Sequence, residues 1–502
     1  MATTDWLHAQ NHPGATTCFL LGSVQSHDSL NELAKYKEVC WFIEQKNLLP
    51  QYRIFPFLHP ITLESLDKEK LHQEIQSFLP KNPLAIPDIF CAQSILKENS
   101  NAYDFIIRQI QIQTEETLRA RQTRQEEGFM AQKNILENLP HYIQNRLSAC
   151  SAKGLKDTPV AIIGAGPSLD ASIHLLEKYH AHFLIFCVDS ALSTLEKTQI
   201  QPDAIISVDA EKPAQACLTP DQKTKALFLS LKSPHDWVER VTAPIHFLSG
   251  NILTEDWLAE QGIEKTAATV LGNCGITAVN LAIHFGCAPI LLFGMDHATD
   301  ESGEGHAENV NQNICRGKTH NPAKCTTTVP GNYSQKVKTF LLNEWEKLDN
   351  LISNASPTQE IWNITDRGAK FEAATLIHPQ EFECQFPPLK PRPIIDYRQK
   401  PVHPDPWNHI QNITQNLLLQ EQDLFHRILN TSNSNTENLR PELIRLFQQP
   451  ELSKLLGNLS FKIIPNLLIW PNLTHLEKEN LLKETKSTIQ TLEKTFSTPC
   501  KL

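Results

Sequence analysis

The sequence lacks any apolar run near the roughly 18 residues that a bilayer span needs, and its first residues lack the basic-then-apolar layout of a signal peptide. A cytoplasmic chain with no membrane span is therefore expected. It also lacks a positive balance: 46 Lys and Arg stand against 56 Asp and Glu, a formal net charge of −10. Repulsion from a phosphate backbone would go uncompensated except by local patches, which argues against a nucleic-acid binder. Twelve cysteines are present, but several sit in apolar stretches, as Cys187 and Cys287 do. That suits reduced, packed thiols and no disulfide frame. With 40% apolar and 20% charged residues, the 502-residue chain has the make-up of a soluble globular protein of several domains.

One stretch organises the rest. Pro159 to Asp170 reads as a short β-branched strand, Val160 to Ile163, that stops at Gly164-Ala165-Gly166 and starts a helix at Pro167-Ser168. Small residues before a helix start, with its unsatisfied N–H groups, are expected to make a phosphate-sized cradle. The third glycine of a dinucleotide fingerprint is missing, since position 169 is Leu169. No Gly-Lys-Ser/Thr follows either, which excludes a P-loop.

The fold class expected is α/β. Residues 1–102 read as a small, degenerate Rossmann-like domain with strands at Cys18–Leu21, Val39–Ile43 and Tyr52–Phe57 and a helix over 62–79. Residues 103–149 read as a solvated pair of connecting helices, with no sustained heptad. Residues 150–378 alternate strands and helices as a mostly parallel Rossmann-like sheet does. Seven prolines from Pro387 to Pro406 suggest a stiff linker over 379–406, and an all-helical region over 407–502 follows.

In such a sheet, ligands bind beyond the carboxyl ends of the strands. The strand ends here carry Asp189-Ser190, Asp209, and Asp296-His297, and a second small-residue turn, Gly272-Asn273-Cys274-Gly275-Ile276-Thr277, opens another helix. These are expected to share one edge. The loop over 299–330 holds His306, Cys315, His320 and Cys325, but no Cys-x-x-Cys pairing, so no zinc site is expected.

Gly164-Ala-Gly-Pro-Ser-Leu-Asp170, Pro202-Asp-Ala-Ile-Ile-Ser-Val-Asp209, Gly294-Met-Asp-His-Ala298, His306-Ala307, Val337-Lys338-Thr339 and Asn363-Ile-Thr-Asp-Arg-Gly-Ala-Lys370 together resemble the motility-associated factor (Maf) flagellin glycosyltransferase family. That family shares its core with the 6-hydroxymethylpterin diphosphokinase MptE-like proteins. The resemblance spans about residues 130 to 378. It implies transfer of a nonulosonic, sialic-acid-like sugar such as pseudaminic acid from a CMP-activated donor to Ser or Thr of flagellin. It further implies that Gly164 to Ser168 hold the nucleotide with Gly272 to Thr277 opposite, and that Asp189 and Ser190 bind beside them. His297, Lys338 and Asn363 would touch other parts of the substrate. Gly-Met-Asp-His stands where the family more often has Gly-Gln-Asp-Leu.

Direct displacement at the anomeric carbon needs a base and a group that meets the departing phosphate. Asp209 or Asp296 would serve as the base, and His306 or Lys338 would meet the phosphate. The alternatives are pyrophosphoryl transfer from ATP to a hydroxymethylpterin, for which Asp209 and Glu211 could hold magnesium, and a non-catalytic motility or assembly protein. The cofactor stays open, with magnesium tied chiefly to the kinase reading, and so does the oligomeric state.

Overall fold

The structure, a computed structural model, describes residues 6–10, 15–24, 26–44, 55–79, 86–196, 198, 200–219, 223–299, 303–308, 310, 327–398 and 405–497. The chain divides into two units, Met1–Gln122 and Thr123–Leu502.

The first unit holds β1 (Trp6–Gln10), β2 (Thr17–Leu21), β3 (Glu38–Ile43), β4 (Leu58–Thr62) and β5 (Asp88–Ala92), in the order β1-β5-β2-β3-β4. All pairings are parallel except β1 with β5. The strand expected at Tyr52–Phe57 falls partly outside the described residues, and β4 stands just after it, so that the helix expected from Thr62 begins only at Lys68. Pro60 is tolerated there because β4 is an edge strand, with one side free of ladder bonds. The helix Lys68–Phe78 follows, capped by Asp67, whose side chain accepts from Lys70 N–H (2.7 Å).

In the second unit lie β6 (Val160–Ile163), β7 (Leu184–Val188), β8 (Ala204–Ser207), β9 (Ala226–Ser230), β10 (Ile245–Leu248), β11 (Ile290–Phe293), the hairpin β12 (Thr328–Pro330) and β13 (Lys336–Lys338), β14 (Ile361–Ile364) and β15 (Thr375–Ile377). Eight of them form a fully parallel sheet in the order β10-β9-β8-β7-β6-β11-β14-β15. Buried on both faces, these strands are continuous apolar runs, which is why β6 to β11 could be read from the sequence. The order reverses beside β6: the chain winds outward through β7 to β10 and returns to place β11 on the other side. That reversal is the topological switch point, where an open α/β sheet leaves a crevice.

The expected helix pair over 103–149 is one helix, Ser100–Gln144, with Pro140 inside it. Its second half is not solvated, because Ile135, Leu136, Leu139 and Asn138 are fully buried. There Asn134 Nδ2 donates to Ala210 O (3.2 Å) and Lys232 O (3.0 Å), and Asn138 Nδ2 donates to Leu231 O (3.1 Å) and Ser233 O (2.7 Å). The helix thereby clamps the loops that leave β8 and β9.

The boundary expected at residue 378 is also absent. The described part of the proline-rich segment lies on the sheet: Arg392 grips the buried Asp203 (Nη2 to Oδ2, 2.6 Å), and Tyr397 N–H donates to His246 Nε2 (2.9 Å). Helices Pro406–Gln420, Gln422–Asn430, Leu439–Gln448, Pro450–Leu455, Gly457–Leu468 and His475–Ser497 send Trp407, Leu459, Ile463 and Phe496 into the same core as the sheet. Gly457 lies so close to Leu253 that a Cβ would collide with it. The last helix does carry the capping box read at Thr474 and Glu477: Thr474 N–H donates to Glu477 Oε2 (2.7 Å) and Glu477 N–H to Thr474 Oγ1 (3.3 Å).

Helices and linker thus complete a core and do not form a detachable module. A chain ending at Pro388 should lose the cooperative melting transition in circular dichroism and bind a hydrophobic dye. A sharp melt in the truncated chain would show that the sheet folds alone.

The helix Leu253–Glu260 buries Glu255, whose Oε2 accepts from Gly250 N–H (2.8 Å). Burial pushes this carboxyl up to about 8, against the pull of the Gly250 N–H and Lys265. A raised folded-state value means that its contribution to stability is full below about 4.5 and is lost as pH rises toward 8. Urea titrations at pH 5 and pH 9 should therefore show the wild type losing stability relative to Glu255→Gln. Parallel pH dependence in the two proteins would contradict the assignment.

Candidate functional site

The site follows from strand register. β6 and β11 run level, Ile163 opposite Phe293, so Gly164 and Gly294 leave the sheet side by side. Gly164 N–H donates to Phe293 O (2.8 Å) and Gly166 N–H to Gly294 O (2.8 Å). A Cβ on Gly164 would strike Gly294 O and Met295 Sδ, and one on Gly275 would strike Met295 as well. Both small-residue turns therefore pack on the loop Gly294 to Asp296, and their lack of side chains has a reason independent of any ligand.

Asp296 occupies the start of the helix Ser168–Tyr179. Its Oδ2 accepts from Ser168 N–H (2.7 Å) and its Oδ1 from Thr365 Oγ1 (3.3 Å), and only 4% of the residue is exposed. Burial raises its pKa despite these bonds. The phosphate expected at Gly164, Ala165, Gly166, Pro167 and Ser168 thus meets a correction: the anion at this helix start is the protein's own carboxylate, and the turn's donors at 164, 166 and 168 are committed. The expectation that Asp296 acts as a base is corrected for the same reason, since neither oxygen is open to a substrate.

Asp189 is likewise consumed. The β7–β8 register sets Val188 against Ile206, which brings Asp189 beside Ser207. Its Oδ1 accepts from Ser190 N–H (2.6 Å) and Lys212 Nζ (3.2 Å), and its Oδ2 from Ser207 Oγ (2.9 Å) and Cys274 Sγ (3.2 Å). The side chain has no exposed surface. The ribose contact expected of Asp189 is therefore not available, because a sugar hydroxyl cannot reach a filled, buried carboxylate; Ser190 is buried beside it.

Asp209, two residues beyond β8, differs. It is half-buried, and its Oδ1 accepts from Glu211 N–H (2.9 Å). Lys212 follows on the same turn. Burial opposes its charge, but the carboxylates of Asp189 and Asp209 outweigh that and hold the ammonium firmly protonated. His306 stands within the field of Lys212, and burial together with that positive charge lowers its pKa below the ordinary 6.5. Its segment is tied across the glycine turn: Ala307 N–H donates to Ala165 O (2.9 Å), and Glu308 N–H to Asp170 Oδ2 (3.0 Å). Lys212 thus lies within electrostatic reach of both Asp209 and His306 at the carboxyl edge.

The second turn splits. Gly272 has a positive φ of 38°, and Asn273 caps the helix Cys274–His284 by accepting from Ile276 N–H (3.0 Å). Asn273 and Gly275 are half-buried, whereas Thr277 is fully buried and bonded to Leu271 O and Asn273 O (2.8 Å each). Thr277 therefore shapes the turn and does not face a ligand. Asn363 is buried within β14, short of the edge, which corrects its place among substrate contacts. Lys338 is exposed on β13, where its carbonyl accepts from Thr299 N–H (3.0 Å). His297 takes a left-handed φ of 46°. Its Nδ1 sits 3.2 Å from Met295 O, and its Nε2 has no partner among the described residues. Burial lowers its pKa.

Sequence reading missed Lys212, Asn134 and Asn138. The only local signal was a lysine three residues beyond a strand-end aspartate. Cys315, His320 and Cys325 lie outside the described residues, and no group of three potential ligands for a metal forms among those described. No described helix is long and apolar enough to cross a membrane. A cavity of about 660 Å³ opens on the opposite, amino edge of the sheet, lined by His180, Asp203, Lys225 and Arg392 among others, away from these groups.

Residues 133–302 match the family described as 6-hydroxymethylpterin diphosphokinase MptE-like. The chain shares its fold with the Maf glycosyltransferase from Magnetospirillum magneticum AMB-1, at 15% identity over 96% of this chain and 78% of that one, with a TM-score of 0.54. A sialyltransferase from Campylobacter jejuni in complex with cytidine-5'-monophosphate aligns over 50% of this chain and 97% of its own, at 12% identity and a TM-score of 0.27. A monofunctional alpha-2,3-sialyltransferase from the same organism aligns over 53% and 95%, at 13% identity and a TM-score of 0.27. No curated protein matches the sequence.

Gly166 tests the packing account directly. A Cβ there would fall on Asp296 Oδ2 and Gly294 O and push the carboxylate off the helix start. Gly166→Ala should therefore destabilise the protein by about 1–3 kcal/mol in urea titration. An unchanged midpoint would show that the turn is not tightly packed.

Proposed function

We propose that this chain is a glycosyltransferase that moves a nonulosonic sugar from a CMP-activated donor to Ser or Thr of flagellin. The observation that carries the reading is a charged lysine within electrostatic reach of a half-buried carboxylate and a neutral imidazole at the carboxyl edge of the sheet. The match to the MptE-like family, the fold shared with a Maf glycosyltransferase and the six ordered motifs support the same reading. The nucleotide lies in the crevice past β6 to β8, between Asn273–Gly275 and the segment 306–308, and not on the donors of the glycine turn.

In this mechanism His306 takes the proton of the acceptor hydroxyl. Its lowered pKa keeps the ring neutral near pH 7, which suits a base better than the phosphate-binding cation first expected of it. Asp209 accepts hydrogen bonds from the sugar and stabilises the positive character that develops at the anomeric carbon. His297, whose Nε2 is unpartnered among the described residues, is left for a polar group of the donor.

The second reading, pyrophosphoryl transfer, is favoured by the description of the matched family. Asp209 and Glu211 would then hold magnesium beside ATP phosphates, supplying charge neutralisation there.

Calorimetry with CMP and with magnesium-ATP separates the two: the transferase binds CMP, the kinase magnesium-ATP. Asp209→Asn and His306→Ala should each lower sugar transfer to recombinant flagellin, followed by mass spectrometry, by roughly 100-fold or more while CMP affinity changes little. The wild-type rate should fall as pH drops through a value below 6.5, because a protonated imidazole accepts no proton. Full transfer by His306→Ala would remove the imidazole from the mechanism.

A further inference from the structure

We infer that Lys212 is the cation that meets the phosphate of the departing nucleotide, and that Asp189 is the residue that positions it. The inference rests on the nucleotide-donor reading and adds the charged group which that reading needs.

Consider the cations available at the carboxyl edge. Arg367 is bidentate to Asp366 (2.8 Å each). Lys232 stands 3.8 Å from Glu127. Lys338 is exposed on the hairpin. Lys212 alone among these is both mostly buried, with 17% of its side chain exposed, and within the electrostatic reach of Asp209 and His306. Its ammonium donates to Asp189 Oδ1 (3.2 Å) and to no other acceptor among the described residues. An ammonium has further N–H groups to place, and withdrawing them from water without acceptors is costly. Asp189 cannot turn toward them, because Ser190, Ser207 and Cys274 hold its other lone pairs.

The ion pair therefore has a fixed back and an open front. Lys212 and the Cys274 start of the helix Cys274–His284 meet on the same Asp189 carboxylate, so the partial positive charge of the helix start adds to that of the lysine. A nucleotide phosphate supplies the missing acceptors. In the transfer step the bond between the anomeric carbon and the phosphate oxygen breaks, and its electron pair stays on that oxygen as CMP leaves. The acceptor oxygen forms the new bond to carbon, and its proton passes to His306. Lys212 offsets the charge that accumulates on the phosphate without giving up a proton, since its own pKa is held high.

Calorimetry of CMP against cytidine on the full chain isolates the phosphate contact. The wild type should prefer CMP, and Lys212→Met should weaken CMP by roughly 10-fold to 100-fold while leaving cytidine unchanged. Because this variant strands a buried carboxylate, the pair Asp189→Asn with Lys212→Met, which removes both charges, should show the same loss if the single variant does not fold. The acid limb of the transfer rate should also move to higher pH without Lys212, since its charge lowers the pKa of His306, a change that a purely structural role would not produce. Undiminished preference for CMP in either folded variant overturns the inference while sparing the functional reading. A wild type that binds neither CMP nor cytidine overturns both.

Discussion

A carboxylate with no access to water must have its lone pairs filled by the protein, and at Asp189 that requirement draws four elements to one point. The end of β7 supplies the acid, and the end of β8 supplies Ser207. The start of the helix Cys274–His284 supplies Cys274, and the turn after β8 supplies Lys212. Removing one partner would leave a buried charge uncompensated, which is far costlier than the pair is stabilising. The loops that border the crevice are therefore fixed in position, and Lys212 can keep its charge in a poorly hydrated place. Asp296 performs the same task two strands away, joining the loops after β6, β11 and β14.

The consequence is a division of labour among acidic residues that look alike. Two strand-end aspartates are spent on holding the edge together, and Asp209, lying in a looser turn, keeps a half-exposed carboxylate. Around it the environment drives two basic groups apart: burial and a neighbouring cation hold His306 neutral, while the carboxylates of Asp189 and Asp209 hold Lys212 charged against its burial. Groups whose pKa values are pushed in opposite directions can take different roles at one pH, one accepting protons and the other supplying fixed charge.

Rigidity at this edge comes from behind as well. Asn134 and Asn138 lie in the core half of a long helix and bind carbonyls of the turns after β8 and β9, one of them adjacent to Asp209. The C-terminal helices close the same core through Thr254, which donates to Leu455 O (3.0 Å), and through Gln132, which donates to Leu455 O (3.0 Å) and accepts from Asn458 N–H (3.0 Å). The C-terminal helices thus steady the frame on which the site is mounted.

By itself the sequence determined the parallel sheet, the positions of β6 to β11, the two small-residue turns and the gathering of acidic strand ends at one edge. These follow from local signals: apolar runs long enough for doubly buried strands, and glycine where the chain must turn. Only the tertiary structure decided which of those side chains a ligand can reach. Whether a strand-end aspartate faces the crevice or the core depends on register with a neighbour distant in sequence, as Asp189 on Ser207 and Asp296 on Thr365 show. The glycines at 164, 166 and 275 looked like room for a phosphate because a missing side chain reads the same whether a ligand or another loop fills the space. Here Gly294 to Asp296 fill it, a contact that exists only once β11 has been inserted beside β6.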